Sequence, residues 1–207
     1  MKAIFYFIVL LSYMSFSQNN STYTVTENGM MTANPKYINE FETGVFNHNN
    51  KYHTDGQFGS RIYQINNGPN YGKYLWVIGP IPWSAFDDRP QLEGHDEDWN
   101  KNIEPYTIPN GDQNYWRFYP DLSNFPKDFI IKKALVDIYD IKRNKKQEAL
   151  ELMNRVKKVI REKYPEESYG VYFNEFPDEK EGIDLMIVSF YQKSEWLGKT
   201  NDFQIKY

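Results

Sequence analysis

One repeated sequence pattern, that of a helix followed by two strands around a turn, most constrains the fold of this 207-residue chain. In the first half, aromatic and apolar residues and one histidine recur every three or four positions from Tyr37 to Tyr52, which predicts a helix. Two strand patterns, residues 61–65 and 74–78, follow on either side of a turn rich in Asn and Gly. The first half therefore predicts a helix packed against a β-hairpin.

The second half has the same order of patterns. A strand at residues 135–141 precedes an amphipathic helix that ends at Tyr164, and two further strands follow at residues 169–173 and 183–191. The helix-to-strand spacing also agrees between the halves. Phe41 and Tyr63 are 22 residues apart, as are Leu150 and Tyr172.

We interpret the agreement as an internal duplication of a β-α-β-β unit. The predicted divisions are a signal peptide (residues 1–17), a first ferredoxin-like repeat (18–106), a linker (107–128) and a second repeat (129–207), with or without its last helix. The linker is predicted because this stretch is rich in Pro, Asn, Gly and Asp.

The first residues are typical of a secretory signal peptide. Lys2 precedes an apolar run, residues 3–11, and Ser15 and Ser17 occupy the −3 and −1 positions of a cleavage site. The run is shorter than the roughly 20 residues that a membrane-spanning helix needs. We therefore expect no stable membrane anchor and a secreted or periplasmic protein.

Composition excludes several kinds of chemistry. The chain has no cysteine, so disulfides, thiolate metal sites and cysteine nucleophiles are excluded. A formal charge of −4 offers no electrostatic basis for a nucleic-acid partner. Aromatic residues make up 17% of the chain, which is enough large apolar surface to favour a folded protein.

Three stretches carry a resemblance to a known family. They are Phe41-Glu-Thr-Gly-Val-Phe-Asn-His-Asn-Asn-Lys-Tyr-His53, Gly72-Lys-Tyr-Leu-Trp-Val-Ile-Gly-Pro80 and His95-Asp-Glu-Asp-Trp99. The chain resembles the dimeric α+β barrel superfamily, and within it the tandem ferredoxin-like proteins near the antibiotic-biosynthesis-monooxygenase group.

The resemblance implies an α+β fold with antiparallel sheets that face each other in a barrel, helices outside, and a ligand cleft between sheet and helices. A duplicated chain would close the barrel within itself, as a monomer with an internal pseudo-dimer, or form a homodimer. The superfamily includes cofactor-independent monooxygenases, haem-degrading enzymes, isomerases and ligand sensors, so the fold alone selects no activity and no cofactor. We expect an exported protein that binds a small molecule.

His48 is the main candidate for catalysis, because it shares a helix face with Phe41 and Val45 and should point toward the sheet. It is predicted as a general base of a cofactor-independent oxygenase, lyase or isomerase, with Arg61 or Tyr63 stabilising an oxyanion. Haem ligation through His48 is a further alternative, and a hydrogen-bonded core histidine is the structural one.

No metal site is predicted. His48 and His53 are five residues apart, so about 140° separates them around an ideal helix. His53 is instead predicted as a cation at the helix C-terminus. His95 and Asp98 can share a helix face, but the acidic residues around them are typical of a solvated first turn, and a two-histidine site would require His95 to meet another histidine in space.

Aromatic residues define the predicted ligand cleft. Large rings on the strands and after them offer surfaces on which a planar ligand can stack, and an ordinary aromatic core is the competing interpretation. The predicted ligand-binding residues are Tyr52, Tyr74, Trp76, Trp83, His95 and Trp99.

Overall fold

The computed structural model describes residues 23–54, 56–128, 130–178 and 182–199, so the predicted signal peptide lies outside the described residues. These residues form seven strands in one antiparallel sheet and five helices, which confirms the predicted α+β class. The strands are β1 (Thr24–Ala33), β2 (Ser60–Gln64), β3 (Tyr74–Pro82), β4 (Thr107–Phe118), β5 (Lys133–Tyr139), β6 (Ser168–Asn174) and β7 (Leu185–Tyr191). The helices are α1 (Ile38–Tyr52), α2 (Ser84–Asp87), α3 (His95–Asn102), α4 (Lys146–Lys163) and α5 (Glu195–Lys199).

The strand order across the sheet is β2-β3-β1-β4-β6-β7-β5. The chain runs β1-α1-β2-β3 in its first half and β5-α4-β6-β7 in its second, so the predicted order of elements occurs in both halves. β4 pairs with β1 along most of its length and with β6 at its end, and it thereby joins the two halves into one sheet.

One face of the sheet is covered by helices. In the first half, Phe41 and Val45 of α1 pack with Tyr74 of β3 and with Ile103, just after α3. In the second half, Met153 of α4 packs with a set of strand residues, Tyr169, Val171, Phe173 and Leu185. The helical periodicity of both helices therefore corresponds to real buried faces.

The opposite face of the sheet has its own apolar cluster. Tyr172 lies between Val171 and Phe173 in β6, so strand alternation directs its side chain away from α4. There it packs with Trp116, and with Met186 and Val188 of β7. Both faces of β6 are thus buried, and all seven of its residues are buried.

The predicted linker is wrong over its first twelve residues. Residues 107–118 form β4, which lies between two other strands of the sheet. The polar and Pro-containing first part of the strand is mostly exposed, and Trp116 is the one buried residue. Pairing with β1 imposes the extended conformation where composition alone predicts a loop.

Among the described residues, no helix has the length and apolar character needed to cross a bilayer.

Candidate functional site

Helix α1 places His48 in the interior. His48 follows Phe41, Gly44 and Val45 on the buried stripe, and its exposed fraction is 0%. Gly44 allows α3 to approach α1, because a Cβ at this position would lie 2.0 Å from the backbone oxygen of Asn102. His48 is buried, as predicted, but its ring faces α3 and the end of α1, whereas the prediction directs it toward the sheet.

His53 lies on the same side as His48, contrary to the prediction from helical spacing. It is the C-cap of α1, with φ −134°, so the chain has left the helix and the 140° offset no longer applies. Its Nδ1 lies 3.0 Å from the carbonyl oxygen of Phe58, and only 8% of the residue is exposed. The predicted cation at the helix end is therefore wrong, since burial lowers the pKa of His53 and disfavours its charged form.

Helix α3 supplies the facing residues. It begins after Gly94, whose φ of +74° is in the left-handed region that favours glycine. His95, Asp98 and Trp99 then share one face of the helix at positions i, i+3 and i+4. This face packs against α1, so His95 meets the other histidines in space.

The three histidines converge. One ring nitrogen from each of His48, His53 and His95 lies within 4.8 Å of the other two. The closest pair is Nε2 of His53 and Nε2 of His95, 3.1 Å apart. The ring centroid of His48 is 4.7 Å from that of His95 and 4.9 Å from that of Tyr52. These are all the histidines of the chain.

Each histidine has an oxygen acceptor at Nδ1. His48 Nδ1 lies 2.8 Å from Asp98 Oδ2, and His95 Nδ1 lies 2.8 Å from Asp96 Oδ1. His53 Nδ1 faces the Phe58 carbonyl. A carboxylate and a carbonyl only accept hydrogen bonds, so we assign the proton of each ring to Nδ1. The lone pair of every ring is then on Nε2.

Burial keeps two of these rings neutral. It lowers the pKa of His48 and the pKa of His53, although the hydrogen bond to Asp98 opposes the effect at His48 and the Phe58 carbonyl opposes it at His53. The hydrogen bond from His48 is the main cause that lowers the pKa of Asp98. Asp98 Oδ1 also accepts a hydrogen bond from Asn102, at 2.8 Å, so both of its oxygens are engaged.

These shifts predict a loss of stability in mild acid. In mild acid the folded state binds fewer protons at His48 and His53 than the unfolded chain does. The stability that the two neutral rings contribute is therefore fully present above pH 6.5, the usual pKa of histidine, and is lost as the pH falls below that value. The slope is at most about 1.4 kcal/mol per pH unit for each histidine. Urea unfolding between pH 7.5 and 5 in a chelating buffer measures it. His48→Gln and His53→Gln should each make the fall shallower; slopes equal to that of the unsubstituted protein would contradict the assignment.

Two tryptophans separate the histidines from a pocket. Trp76 of β3 and Trp99 of α3 are stacked, with ring centroids 5.1 Å apart and an interplanar angle of 19°. The ring centroid of Trp76 lies 5.1 Å from that of His53, and the ring centroid of Trp99 lies 5.4 Å from that of His48. Both indoles also line a cavity of about 350 Å³ between the sheet and α3.

The remaining lining of this cavity comes from three strands. It comprises Glu27, Gly29, Met30 and Met31 of β1, Ile78 of β3, and Gly111, Asp112 and Gln113 of β4. Glu27 pairs with Arg89 and Gln113, and Asp112 accepts a hydrogen bond from Asn114. The pocket therefore combines an aromatic wall with carboxylates on its strand side. Periodicity did not identify these strand residues, since they carry no motif.

The predicted site residues fall into separate places. Trp76 and Trp99 line the pocket, whereas Tyr52 and His95 adjoin His48. The hydroxyl of Tyr74 donates to Glu42 of α1 at 2.6 Å, and burial is the main cause that raises the pKa of Tyr74 to about 12. Trp83 packs in another aromatic cluster with Phe86, Tyr115 and Phe176.

Arg61 and Tyr63 do not meet His48. Ile62, between them in β2, packs toward α1, so strand alternation places Arg61 and Tyr63 on the opposite face of the sheet. There, burial is the main cause that raises the pKa of Tyr172 to about 12, with nearby Tyr63 also raising it and Arg61 lowering it. The sheet separates these residues from the predicted base.

A second, larger cavity of about 600 Å³ lies in the other half of the chain, beside α5. Its lining also combines aromatic side chains with charges of both signs: Phe190, Tyr191, Trp196, Lys127, Lys193, Asp128, Glu166, Glu167 and Glu195. The smaller pocket differs because its charged lining residues, Glu27 and Asp112, are both acidic.

Comparisons with known proteins identify a similar fold. No family model matches the chain, and no curated protein matches it. Among solved structures, the crystal structure of an anthrone oxidase-like protein is similar, with a TM-score of 0.52 and 11% sequence identity over 88% of this chain and 78% of that one. At this identity the similarity shows an α+β fold of the same general type, and no more.

Proposed function

We propose that the protein binds a flat organic molecule that carries a positive charge, in the pocket walled by Trp76 and Trp99. The observation that carries the proposal is the cavity of about 350 Å³ between the sheet and α3, lined by two stacked indoles. Both tryptophans are among the residues predicted to bind a ligand. A cavity of this volume is within the range that small organic ligands occupy.

The chemistry of the lining supports a cationic ligand. Indole is the best aromatic partner for a cation held near its face, with a contribution of roughly 0.5–2 kcal/mol. Glu27 and Asp112 place carboxylates on the strand side of the same cavity. Met30 and Met31 add polarizable side chains that adapt to a flat ring. Glu27 already pairs with Arg89, so the repulsion of an anionic ligand comes mainly from Asp112.

The finer fold assignment is also a proposal. We infer two ferredoxin-like repeats that arose by duplication and curve into a barrel, related to the antibiotic-biosynthesis-monooxygenase group. Two observations support this inference. The β-α-β-β order occurs in both halves. Tyr63 in β2 also raises the pKa of Tyr172 in β6, although those strands are not neighbours in the sheet. Export as a secreted or periplasmic protein remains a proposal that rests on the first 17 residues.

The enzymatic alternatives have less support. A His48 base would need its oxyanion partners on its own side of the sheet, and Arg61 and Tyr63 are on the other. Haem ligation through His48 would require space for a macrocycle beside a side chain that is 0% exposed and has Tyr52, His95 and Trp99 rings within 5.4 Å. Both alternatives stay predictions.

The proposal is tested with three probes of similar shape: N-methylquinolinium, neutral quinoline and anionic quinoline-2-carboxylate. Titration calorimetry at pH 7.5 should show that the cation binds about 2- to 30-fold more tightly than quinoline, as expected for a cation–π gain of about 0.5–2 kcal/mol. The carboxylate should bind most weakly. Equal affinity for the three probes, or no binding, would contradict the proposed ligand class.

Matched variants locate the binding. Trp99→Leu should remove most of the cation binding, because one indole of the wall is lost, and Asp112→Asn should weaken it through the loss of one charge. Trp196→Leu is the control, since Trp196 stacks on Tyr191 in the other half of the chain. An equal loss in Trp196→Leu would show that the probe binds elsewhere.

A further inference from the structure

The histidine cluster brings two ring nitrogens within hydrogen-bond distance of each other. With the Nδ1 protons of His53 and His95 directed at oxygen acceptors, both Nε2 atoms present lone pairs to each other at 3.1 Å. Two acceptors at hydrogen-bond distance repel each other unless a positive centre lies between or beside them. Nε2 of His48 is also buried and has no hydrogen-bond partner among the described residues. One ring nitrogen from each of the three histidines therefore lies in one small region.

The spacing suits a single metal ion. Nitrogen ligands about 2.0–2.1 Å from a tetrahedral ion lie about 3.4 Å apart. The 3.1 Å between Nε2 of His53 and Nε2 of His95 is close to this value, and the whole set lies within 4.8 Å. A single ion bonded to all three nitrogens would require the rings to move closer together than this limit.

The partners at Nδ1 are those found behind metal-bound histidines. In such sites, the second ring nitrogen donates to a carboxylate or a backbone carbonyl, which sets the tautomer and the ring orientation. Asp98, Asp96 and the Phe58 carbonyl occupy these positions for the three rings.

We propose that His48, His53 and His95 form a binding site for one divalent transition-metal ion of the zinc class. Three imidazole nitrogens suit Zn²⁺, Co²⁺, Ni²⁺ and Cu²⁺, whereas Ca²⁺ and Mg²⁺ prefer oxygen ligands. The site is separate from the ligand pocket, because none of the three histidines lines that cavity. The proposal goes beyond the proposed function and does not depend on it.

Cobalt titration tests the site directly. The purified protein is freed of metal with a chelator and titrated with Co²⁺, whose visible absorption reports nitrogen coordination. We expect saturation at one equivalent, displacement of the spectrum by Zn²⁺ and no competition from Mg²⁺. Absence of a saturable spectrum, or displacement by Mg²⁺, would overturn the proposal.

Three variants assign the ligands. His95→Ala removes a ligand that is partly exposed at the start of α3, and we expect an affinity loss of at least about 100-fold. Asp98→Asn alters the partner of His48 and should weaken binding about 10- to 100-fold. Glu97→Gln is the control for Asp98→Asn, since it removes the same charge from an exposed position on α3.

The result is interpretable even if one variant is unstable. Circular dichroism establishes that each variant is folded, and His95→Ala does not open the core as a substitution of His48 would. Retained one-equivalent binding in folded His95→Ala, or equal losses in Asp98→Asn and Glu97→Gln, would overturn the assignment. Failure of quinolinium binding with intact Co²⁺ binding would leave this site standing and refute the proposed function instead.

Discussion

Alanine at position 44 is expected to destabilise the protein by about 1–3 kcal/mol, the usual cost of overpacking. The new Cβ would lie 2.0 Å from the backbone oxygen of Asn102, so α1 and α3 must separate. For a chain of this size the melting temperature should fall by about 2–12 °C. The same displacement moves Asp98 and His95 away from His48, and Co²⁺ affinity should fall together with stability.

Gly198→Ala provides the control for this substitution. A Cβ at Gly198 in α5 has no atom within 4 Å, and Ala is favoured over Gly in a helix by about 0.5–1 kcal/mol. We therefore expect unchanged or slightly higher stability and unchanged Co²⁺ binding. If Gly44→Ala behaves like Gly198→Ala, the close approach of α1 to α3 does not determine the site geometry.

Zinc is expected to stabilise the folded protein strongly. An ion that binds only the native state at 100 times its dissociation constant adds about 2.7 kcal/mol to the free energy of unfolding. In a protein of this size that corresponds to a rise in melting temperature of about 5–11 °C. Thermal unfolding with Zn²⁺ and with excess chelator measures the difference.

The variants separate this stabilisation from unspecific binding. His95→Ala should abolish the increase, because it removes one of the three ligands, whereas Glu97→Gln should retain it. Mg²⁺ at the same concentration should have no effect, since imidazole nitrogens are poor ligands for it. An equal increase in His95→Ala, or none in the unsubstituted protein, would count against the metal site.

Local periodicity predicted much of the fold. The apolar stripe that includes Phe41 and Val45 corresponds to the buried face of α1, and the strand patterns after it correspond to β2 and β3. These elements are predictable because a helix or a half-buried strand repeats its apolar residues at its own period. The sequence patterns of the second half predict β5, α4, β6 and β7 for the same reason.

β4 shows where that rule fails. Most of its first seven residues are exposed and its sequence includes Pro109 and Gly111, so it has no apolar alternation to detect. It is a strand because β1 offers hydrogen-bonding partners along most of its length. Pairing between distant segments overrides local composition here.

Sequence patterns identify only part of the lining of the cavity beside α3. Trp76 and Trp99 were identifiable as large rings near the hairpin and the following helix. Glu27 and Asp112 were not, because each is an ordinary polar strand residue until β1 and β4 pair and α3 covers them.

For the histidines, the sequence by itself determined the available chemistry: with no cysteine and three histidines, a metal site with several nitrogen ligands has to use these residues. Tertiary structure decided that they meet. His53 joins His48 because it leaves the helix at the C-cap, which cancels the angular offset of an ideal helix. His95 arrives from a segment more than 40 residues away, because Gly44 lets α3 pack closely on α1. Such a contact depends on packing between elements that are distant in the sequence, and local residue spacing does not predict it.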